Sequence, residues 1–424
     1  MRAPLFPWPL LGLLALALAL RAGCAMWIEQ GISANTQFLF GDSDSYWRLG
    51  EQIAHRQPYE IGDPPAKAFR TPGYPAALAL LFRVLGPETP VVAARLWTAC
   101  LSSLSVAGVF WLGERLFDRT VGVFAGLITT VYPGSVATSA LVLSEGPFCA
   151  VVAFQMLCWH NGWFSDDDEN RYGWLFAAGA LSGLATLFRP SWLLFTPFAI
   201  SVGLALCQER PRQARAATVI LLGLLAAMSP WWLRNYRTVG QFVPTTLQVG
   251  ASLYDGLNPH ATGASNMDFI APKIAAANQA GVGSEQMEVY LNTKLREDAL
   301  NFTSSNPQQA IRLAFVKLLR MWNALPNDAQ FRTPAISMLL AAGYVPVLLL
   351  GVIGALRYWR GGVPYALCLM PVFYLSIIHM IFVGSIRYRL PAMILLSVPA
   401  SALVVEFWRK RSSHSASPAP EPAA

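Results

Sequence analysis

Apolar residues run in long, nearly unbroken blocks along this chain. They lie near 5–28, 91–113, 120–133, 138–163, 172–188, 191–207, 216–233, 335–356, 362–383 and 390–408. A helix needs about 20 apolar residues to cross a hydrocarbon core of roughly 30 Å, and most of these blocks approach that length. Inside a bilayer the backbone must satisfy its own hydrogen bonds, so the spans are predicted to be helices; the two-residue alternation of a transmembrane barrel is absent. The pattern predicts an all-α polytopic membrane protein with about ten transmembrane helices.

Composition strengthens that reading. Of 424 residues, 54% are hydrophobic and 13% charged, about half the charge usual in a soluble domain. The net charge of +7 does not point to nucleic acid, because the arginines are spread through the loops and the one basic tract is Arg409, Lys410 and Arg411. The six cysteines lie in or near apolar blocks with neither metal spacing nor a disulfide framework. They read as small apolar core residues. Residues 10–20 resemble the core of a signal peptide, and residues 21–24 faintly resemble a lipoprotein cleavage box. Arg21 stands where such a box wants an aliphatic residue, so 1–28 is read as a retained first span.

Charge then orients the chain. Short cytoplasmic loops collect Lys and Arg. The short loops 113–120, 208–215 and 357–361 carry Arg115, Arg119, Arg210, Arg212, Arg215, Arg357 and Arg360, and the tail is basic. All four features fall inside only if residues 72–85 do not cross. That segment is short and contains Pro75 and Arg83, and a central arginine costs about 2.5–3.5 kcal/mol to insert. It is read as an amphipathic or re-entrant helix on the outer face. The predicted order is a first span to residue 28, a first outer loop over 29–90 and spans two to seven over 91–233. A second outer loop over 234–333 follows, then spans eight to ten over 334–408 and a disordered cytoplasmic tail over 409–424. Helices are expected at 284–301 and 307–324, the latter lying in the interface. No internal repeat is visible.

The chemistry concentrates in the polar islands. Residues 41–47 read Gly-Asp-Ser-Asp-Ser-Tyr-Trp, followed at 70–75 by Arg-Thr-Pro-Gly-Tyr-Pro. Tyr46, Leu49, Gly50 and Ile53 recur at helical spacing, so a helix begins near Ser43. Asp42 or Ser43 could simply cap it. Alternatively, Asp42 at the membrane surface is a candidate general base, a role typically worth 10²–10⁴-fold. Asp44 could assist it or hold a divalent cation. Arg70 could snorkel to water or grip a phosphate through two parallel hydrogen bonds. The same two readings apply to Arg387 and Arg389 at the start of the last span. Glu145, in Leu-Ser-Glu-Gly-Pro, is costly near a span end and therefore a candidate site residue, or the partner of a neighbouring arginine. Arg189-Pro190 breaks a hydrophobic hairpin. Trp231 and Trp232 read as belt anchors. His55, His160, His260 and His379 suggest no role.

Taken in order, these pieces resemble the GT-C superfamily of polyprenyl-phosphate-dependent glycosyltransferases, the class of protein O-mannosyltransferases and aminoarabinose transferases. The resemblance rests on Asp42 and Tyr46, then Arg70 with Pro72, Tyr74 and Pro75, Gly86, Arg95, Tyr132-Pro133 and Ser144-Glu145. It continues through Phe188-Arg189-Pro190, the run 230–236 (Pro-Trp-Trp-Leu-Arg-Asn-Tyr), Asn306-Pro307, residues 317–322 and the run 387–391 (Arg-Tyr-Arg-Leu-Pro). It implies a helical bundle with a catalytic first outer loop and a sugar donor carried on polyprenyl phosphate. Asp42 takes the catalytic position, and Tyr46, Tyr74, Arg70, Glu145, Arg189, Arg387 and Arg389 the substrate and phosphate positions. The implied enzyme is a hexosyl- or pentosyl-transferase that inverts the anomeric carbon. Its acceptor is a lipid, a glycan or a protein, and its setting is the bacterial inner membrane. Many relatives carry a second acid directly after the first; this chain has Ser43 there and Asp44 one further on, which leaves open whether Asp42 or Asp44 is the catalytic base and whether a metal is involved. The competing reading, a transporter or flippase of lipid-linked sugars, predicts inverted repeats and polar residues in mid-span, and neither is visible.

Overall fold

A computed structural model describes residues 8–31, 37–165, 167–206, 210–328 and 331–415. Among them the regular structure is helical, apart from one antiparallel bridge between Ile61 and Ala66. In chain order the helices are α1 (Trp8–Gly31), α2 (Gly41–Ala54), α3 (Gly73–Leu85), α4 (Val91–Leu116), α5 (Arg119–Val131), α6 (Pro133–Ser139), α7 (Glu145–Phe164), α8 (Asp168–Phe188) and α9 (Phe195–Leu206). Then come α10 (Arg210–Val239), α11 (Val249–Gly256), α12 (Ile270–Gln279), α13 (Ser284–Ser305), α14 (Pro307–Met321), α15 (Pro334–Tyr358), α16 (Val363–Ala366), α17 (Met370–Ile381) and α18 (Leu390–Ser415). Short 3₁₀ turns cover Pro190–Trp192 and Ile386–Arg389.

Among the described residues five helices are long and apolar enough to cross a bilayer: α1, α4, α10, α15 and α18. The bent pair α5–α6 makes a sixth if it counts as one span. The remaining expected spans are shorter, broken or more polar. The core lies where α4, α7 and α18 meet. These helices are buried on most sides, as expected of helices apolar all round. Cys149, Cys158 and Cys368 are buried, as expected of core cysteines, while Cys100 is exposed. Cys207 lies outside the described residues.

Arg21 proves to have work of its own. The α5–α6 pair bends by 56° at Pro133, which has no N–H to donate to the Thr129 carbonyl. Arg21 takes that place from α1. Its guanidinium donates to the carbonyls of Thr129 (3.1 Å) and Thr130 (3.3 Å), to Ser135 Oγ (3.0 Å) and to its own Ala17 carbonyl (3.2 Å).

The bundle has two distinct ends. At one, the turn after α4, the end of α15 and the end of α18 meet through Arg409–Asp118 (2.7 Å), Arg357–Glu406 (2.6 Å) and the Phe117–Tyr358 ring pair (4.9 Å). This end gathers basic loops that the sequence assigned to one side. The helix of α18 continues through Ser415, past the expected start of disorder; residues 416–424 lie outside the described residues.

The other end carries both large loops. In the first loop α2 pairs with α3, which at 13 residues is about 20 Å long and too short to cross. It buries Tyr74, Leu78 and Phe82 and leaves Leu80, Val84 and Leu85 exposed, the amphipathic habit expected of it. In the second loop α13 and α14 occupy the two stretches where helices were expected. Helix α14 buries Ala310, Leu313, Lys317 and Met321 and exposes Ile311, Phe315 and Leu319.

Candidate active site

Five separate stretches deliver charge to one place at the loop end. Helix α2 opens with Phe40 as its N-cap and no side-chain capping bond, so neither Asp42 nor Ser43 is the cap. Asp42 stands instead in the first turn, where the positive end of the helix dipole favours a carboxylate. Arg70 follows an irregular strap and precedes Pro72, the N-cap of α3. Gly73 lies against the Leu187 carbonyl, where a Cβ would collide. That close approach brings the strap beside the end of α8, where Arg189 follows. Glu145 opens α7, and Arg387 sits in the turn before α18.

The geometry is a chain of alternating charges. Arg70 Nη2 lies 2.6 Å from Asp42 Oδ1, and its Nε donates to Ser45 Oγ (3.2 Å). Arg387 Nη2 lies 3.5 Å from Asp42 Oδ2 and its Nη1 3.4 Å from Glu145 Oε1. Arg189 Nη1 approaches the same Oε1 to 3.0 Å and donates to Ser144 Oγ (3.2 Å). Three guanidiniums thus face two carboxylates, leaving one positive charge in excess. The Glu145 contacts are too oblique for hydrogen bonds. Both Glu145 oxygens and Arg387 Nη1 are buried without a hydrogen-bond partner, a state that buried polar groups rarely keep. They border a small pocket shared with Phe148, Arg189, Ser191, His379 and Tyr388.

Burial pulls the Asp42 carboxyl upward. Arg70 and Arg387 outweigh it through their charges, Arg70 also through its hydrogen bond, and Arg189 adds to them. The net effect holds Asp42 below the usual carboxylate range. The cluster is walled by rings: Arg70 lies over Tyr46 (5.2 Å), Arg387 over Phe40 (4.5 Å) and Arg189 over Tyr388 (5.0 Å). Tyr46 meets Tyr74 edge to face (5.1 Å) and shares a hydrogen bond with Ser144 Oγ (3.2 Å). Tyr74, fully buried, bonds Thr98 Oγ1 (2.6 Å). The two tyrosines brace the cluster.

Two of the expected residues stand apart. Asp44 points away from Asp42 and pairs with Arg48 (3.0 Å) on the exposed side of α2. Arg389 turns into the bundle, donates to the carbonyls of Met321 (3.1 Å) and Asn323 (2.5 Å), and lies over the Tyr344 ring. Sequence reading missed His379, which stacks on Tyr388 (4.5 Å) and faces the Val383 carbonyl through Nδ1 (3.0 Å). It also left Tyr388 and Ser144 without roles, although both sat in quoted motifs. The donor set does not suit a cation. Both Asp42 oxygens face guanidiniums, Asp44 is elsewhere, and among the described residues no three His, Cys, Asp or Glu side chains converge.

Comparison with known proteins agrees with this architecture. An archaeal oligosaccharyltransferase from Archaeoglobus fulgidus, solved with an inhibitory peptide and a dolichol-phosphate, superposes on 99% of this chain and 53% of its own at TM-score 0.59 and 16% identity. The likeness shows that the two share a fold. A structure of the same Archaeoglobus fulgidus enzyme with Zn and sulfate aligns over 95% of this chain and 50% of its own, at TM-score 0.55 and 14% identity. The present chain therefore spans about half the length of those proteins. ArnT from Cupriavidus metallidurans, bound to undecaprenyl phosphate, aligns over 97% of this chain and 81% of its own at TM-score 0.47 and 16% identity. The sequence model of the dolichyl-phosphate-mannose-protein mannosyltransferase family matches residues 69–233, from Phe69 beside Arg70 to the Trp231-Trp232 end of α10. A search of curated protein sequences returns no match.

Proposed function

We propose that this protein is a membrane glycosyltransferase that moves a hexosyl or pentosyl unit from a polyprenyl-phosphate donor to an acceptor hydroxyl. The acceptor is a lipid, a glycan or a protein. The chain passes the bilayer about ten times, with both loops on the outer face of a bacterial inner membrane. The observation that carries the reading is Asp42 held between Arg70 and Arg387 beside the pocket that Glu145 and Arg189 border. A donor of this kind is a phosphodiester with one negative charge, which neutralises the excess positive charge of the cluster.

The same arginines explain how Asp42 becomes a base. Before the donor arrives, they hold its carboxylate ionised but weakly basic. The donor phosphate competes for Arg70 and Arg387, whose guanidiniums suit phosphate geometry. As they turn to it, Asp42 loses the partners that depress it and its basicity climbs toward the ordinary range, closer to what proton transfer needs. The acceptor oxygen then forms a bond to the anomeric carbon, its proton passes to Asp42, and the carbon–oxygen bond to phosphate breaks. The electron pair leaves on the polyprenyl phosphate, whose charge the arginines stabilise. A single displacement inverts that carbon. No step needs a metal ion, and the donor set supports none. A flippase reading finds no support in Arg21, the buried charge within α1, since both of its Nη groups are engaged at the helix break. The test is transfer from a labelled polyprenyl-phosphate sugar by the purified protein. Undiminished transfer in Asp42→Asn overturns the mechanism.

A further inference from the structure

The two arginines that meet at Asp42 come from opposite ends of the sequence, and the second loop touches the support of each. On the Arg70 side, Glu288 of α13 accepts from the backbone N–H of Lys67 (Oε2, 2.7 Å) and of Ala68 (Oε1, 3.0 Å). Leu247, also in the second loop, donates its N–H to the Ala68 carbonyl (2.9 Å), and the Ala68 side chain packs on Val243 and Leu247. Lys67 also pairs with Glu285. Tyr59 fixes the Arg70 carbonyl (3.1 Å). On the Arg387 side, Lys317 of α14 donates to the Ile381 carbonyl (2.7 Å), and Gly384 N–H donates to the Gly263 carbonyl (3.0 Å). Gly384 lies directly on the Lys317 carbonyl, where a Cβ would collide. Ser385 Oγ then accepts from the Arg387 N–H (3.4 Å).

We propose that the second loop is the spacer that sets the gap between Arg70 and Arg387, with Glu288 and Lys317 as its two positioning residues. The proposal rests on the functional reading above for the identity of the ligand. Its physical basis is the nature of the bonds. Neither side chain touches the charge cluster, yet each spends its charge on backbone groups of the segment that carries one arginine. Lys317 is fully buried, and a buried charge is costly unless its partners matter. Helices α13 and α14 are consecutive, joined at Asn306, so one continuous stretch of the second loop reaches both segments. A bidentate clamp works at one spacing, and errors near 1 Å are expensive in such sites. Freeing either end therefore loosens the clamp as a whole.

The experiment measures binding of a C55 polyprenyl phosphate to the full chain in nanodiscs, with melting temperature read in parallel. The variants are Glu288→Ala, Lys317→Met, both together, and Lys317→Arg. Each single loss is expected to weaken binding about tenfold or more, the scale of one charged hydrogen bond. The double variant should be little worse than the poorer single one, because either loss already frees the gap; independent sites would add. Lys317→Arg, which keeps a donor, should restore most of the affinity. Wild-type binding with unaffected variants overturns the spacer role and leaves the functional reading standing. Additive losses that follow the melting temperature, with no rescue by arginine, also overturn it. A wild-type chain that binds no polyprenyl phosphate overturns the functional reading, and the spacer role with it.

Discussion

Asp42 Oδ1 stands 2.6 Å from the Arg70 guanidinium, and Arg387 approaches the other oxygen of the same carboxylate to 3.5 Å. One carboxylate between two guanidiniums leaves positive charge in excess, which a lipid phosphate would meet on the reading proposed above. The arrangement makes Asp42 the residue on which transfer should depend. Asp42→Asn keeps the shape, loses the base and should cut turnover 10²–10⁴-fold. Asp44→Asn should leave turnover within a factor of about two, because an exposed pair such as Asp44–Arg48 contributes little. Initial rates with a labelled donor decide it: equal losses in the two variants would contradict the assignment.

The two arginines of the Arg-Tyr-Arg run should behave differently. Arg387 faces Asp42 and Glu145, whereas Arg389 is spent on the Met321 and Asn323 carbonyls. Arg387→Gln should raise the donor KM about tenfold to a hundredfold, the equivalent of ~1.5–3 kcal/mol for a hydrogen bond to a charged group. Arg389→Gln should lower the melting temperature and leave the donor KM close to wild type. A donor KM that moves equally in both would place Arg389 in the site after all.

How much of this was legible in the sequence follows from the geometry of each element. The polar islands stand out against apolar blocks, so Asp42, Arg70, Glu145, Arg189 and Arg387 could be picked without coordinates. What the chain alone leaves open is the direction of neighbours. Two residues apart on an α-helix is about 200° of rotation, which sends Asp44 away from Asp42. In the 3₁₀ turn Ile386–Arg389 a two-residue step again reverses direction, separating Arg389 from Arg387. His379 was invisible for another reason. Its value comes from stacking on Tyr388 across the turn after α17, a contact no spacing rule encodes. The role of Arg21 depended on knowing that α5 breaks at Pro133 against α1.

That break yields a prediction about stability. Arg21→Leu leaves the Thr129 and Thr130 carbonyls and Ser135 Oγ without their donor. Orphaned groups cost about 1–3 kcal/mol each in a dry interior, though polar bonds inside membranes average nearer 0.6. Removing an unpaired buried cation offsets part of this, so a net loss of about 1–3 kcal/mol is expected. The sharper test adds Pro133→Ala, which returns an N–H to the Thr129 carbonyl. Arg21→Leu should then cost less in the Pro133→Ala background than in the native one, a coupling read from a double-mutant cycle of unfolding. Equal costs in both backgrounds would mean that Arg21 does not serve the break.

Lys317 offers a pH signature with a definite sign. Burial lowers its ammonium pKa to about 8, with Asp255 opposing the shift. Asp255 is the acid facing it, and burial holds that carboxyl above the usual range despite bonds from Ser265 and Asn266. A lysine depressed in the folded state is neutral there while still protonated in the unfolded chain, so between about 8 and the ordinary value near 10.4 the unfolded state binds more protons. Stability must therefore rise with pH across that window and lie flat, as far as this group is concerned, below it. The wild-type protein in detergent should gain melting temperature relative to Lys317→Met as pH is raised from 7.5 to about 9.5. Parallel curves for the two proteins would show that the ammonium is not held in the environment described.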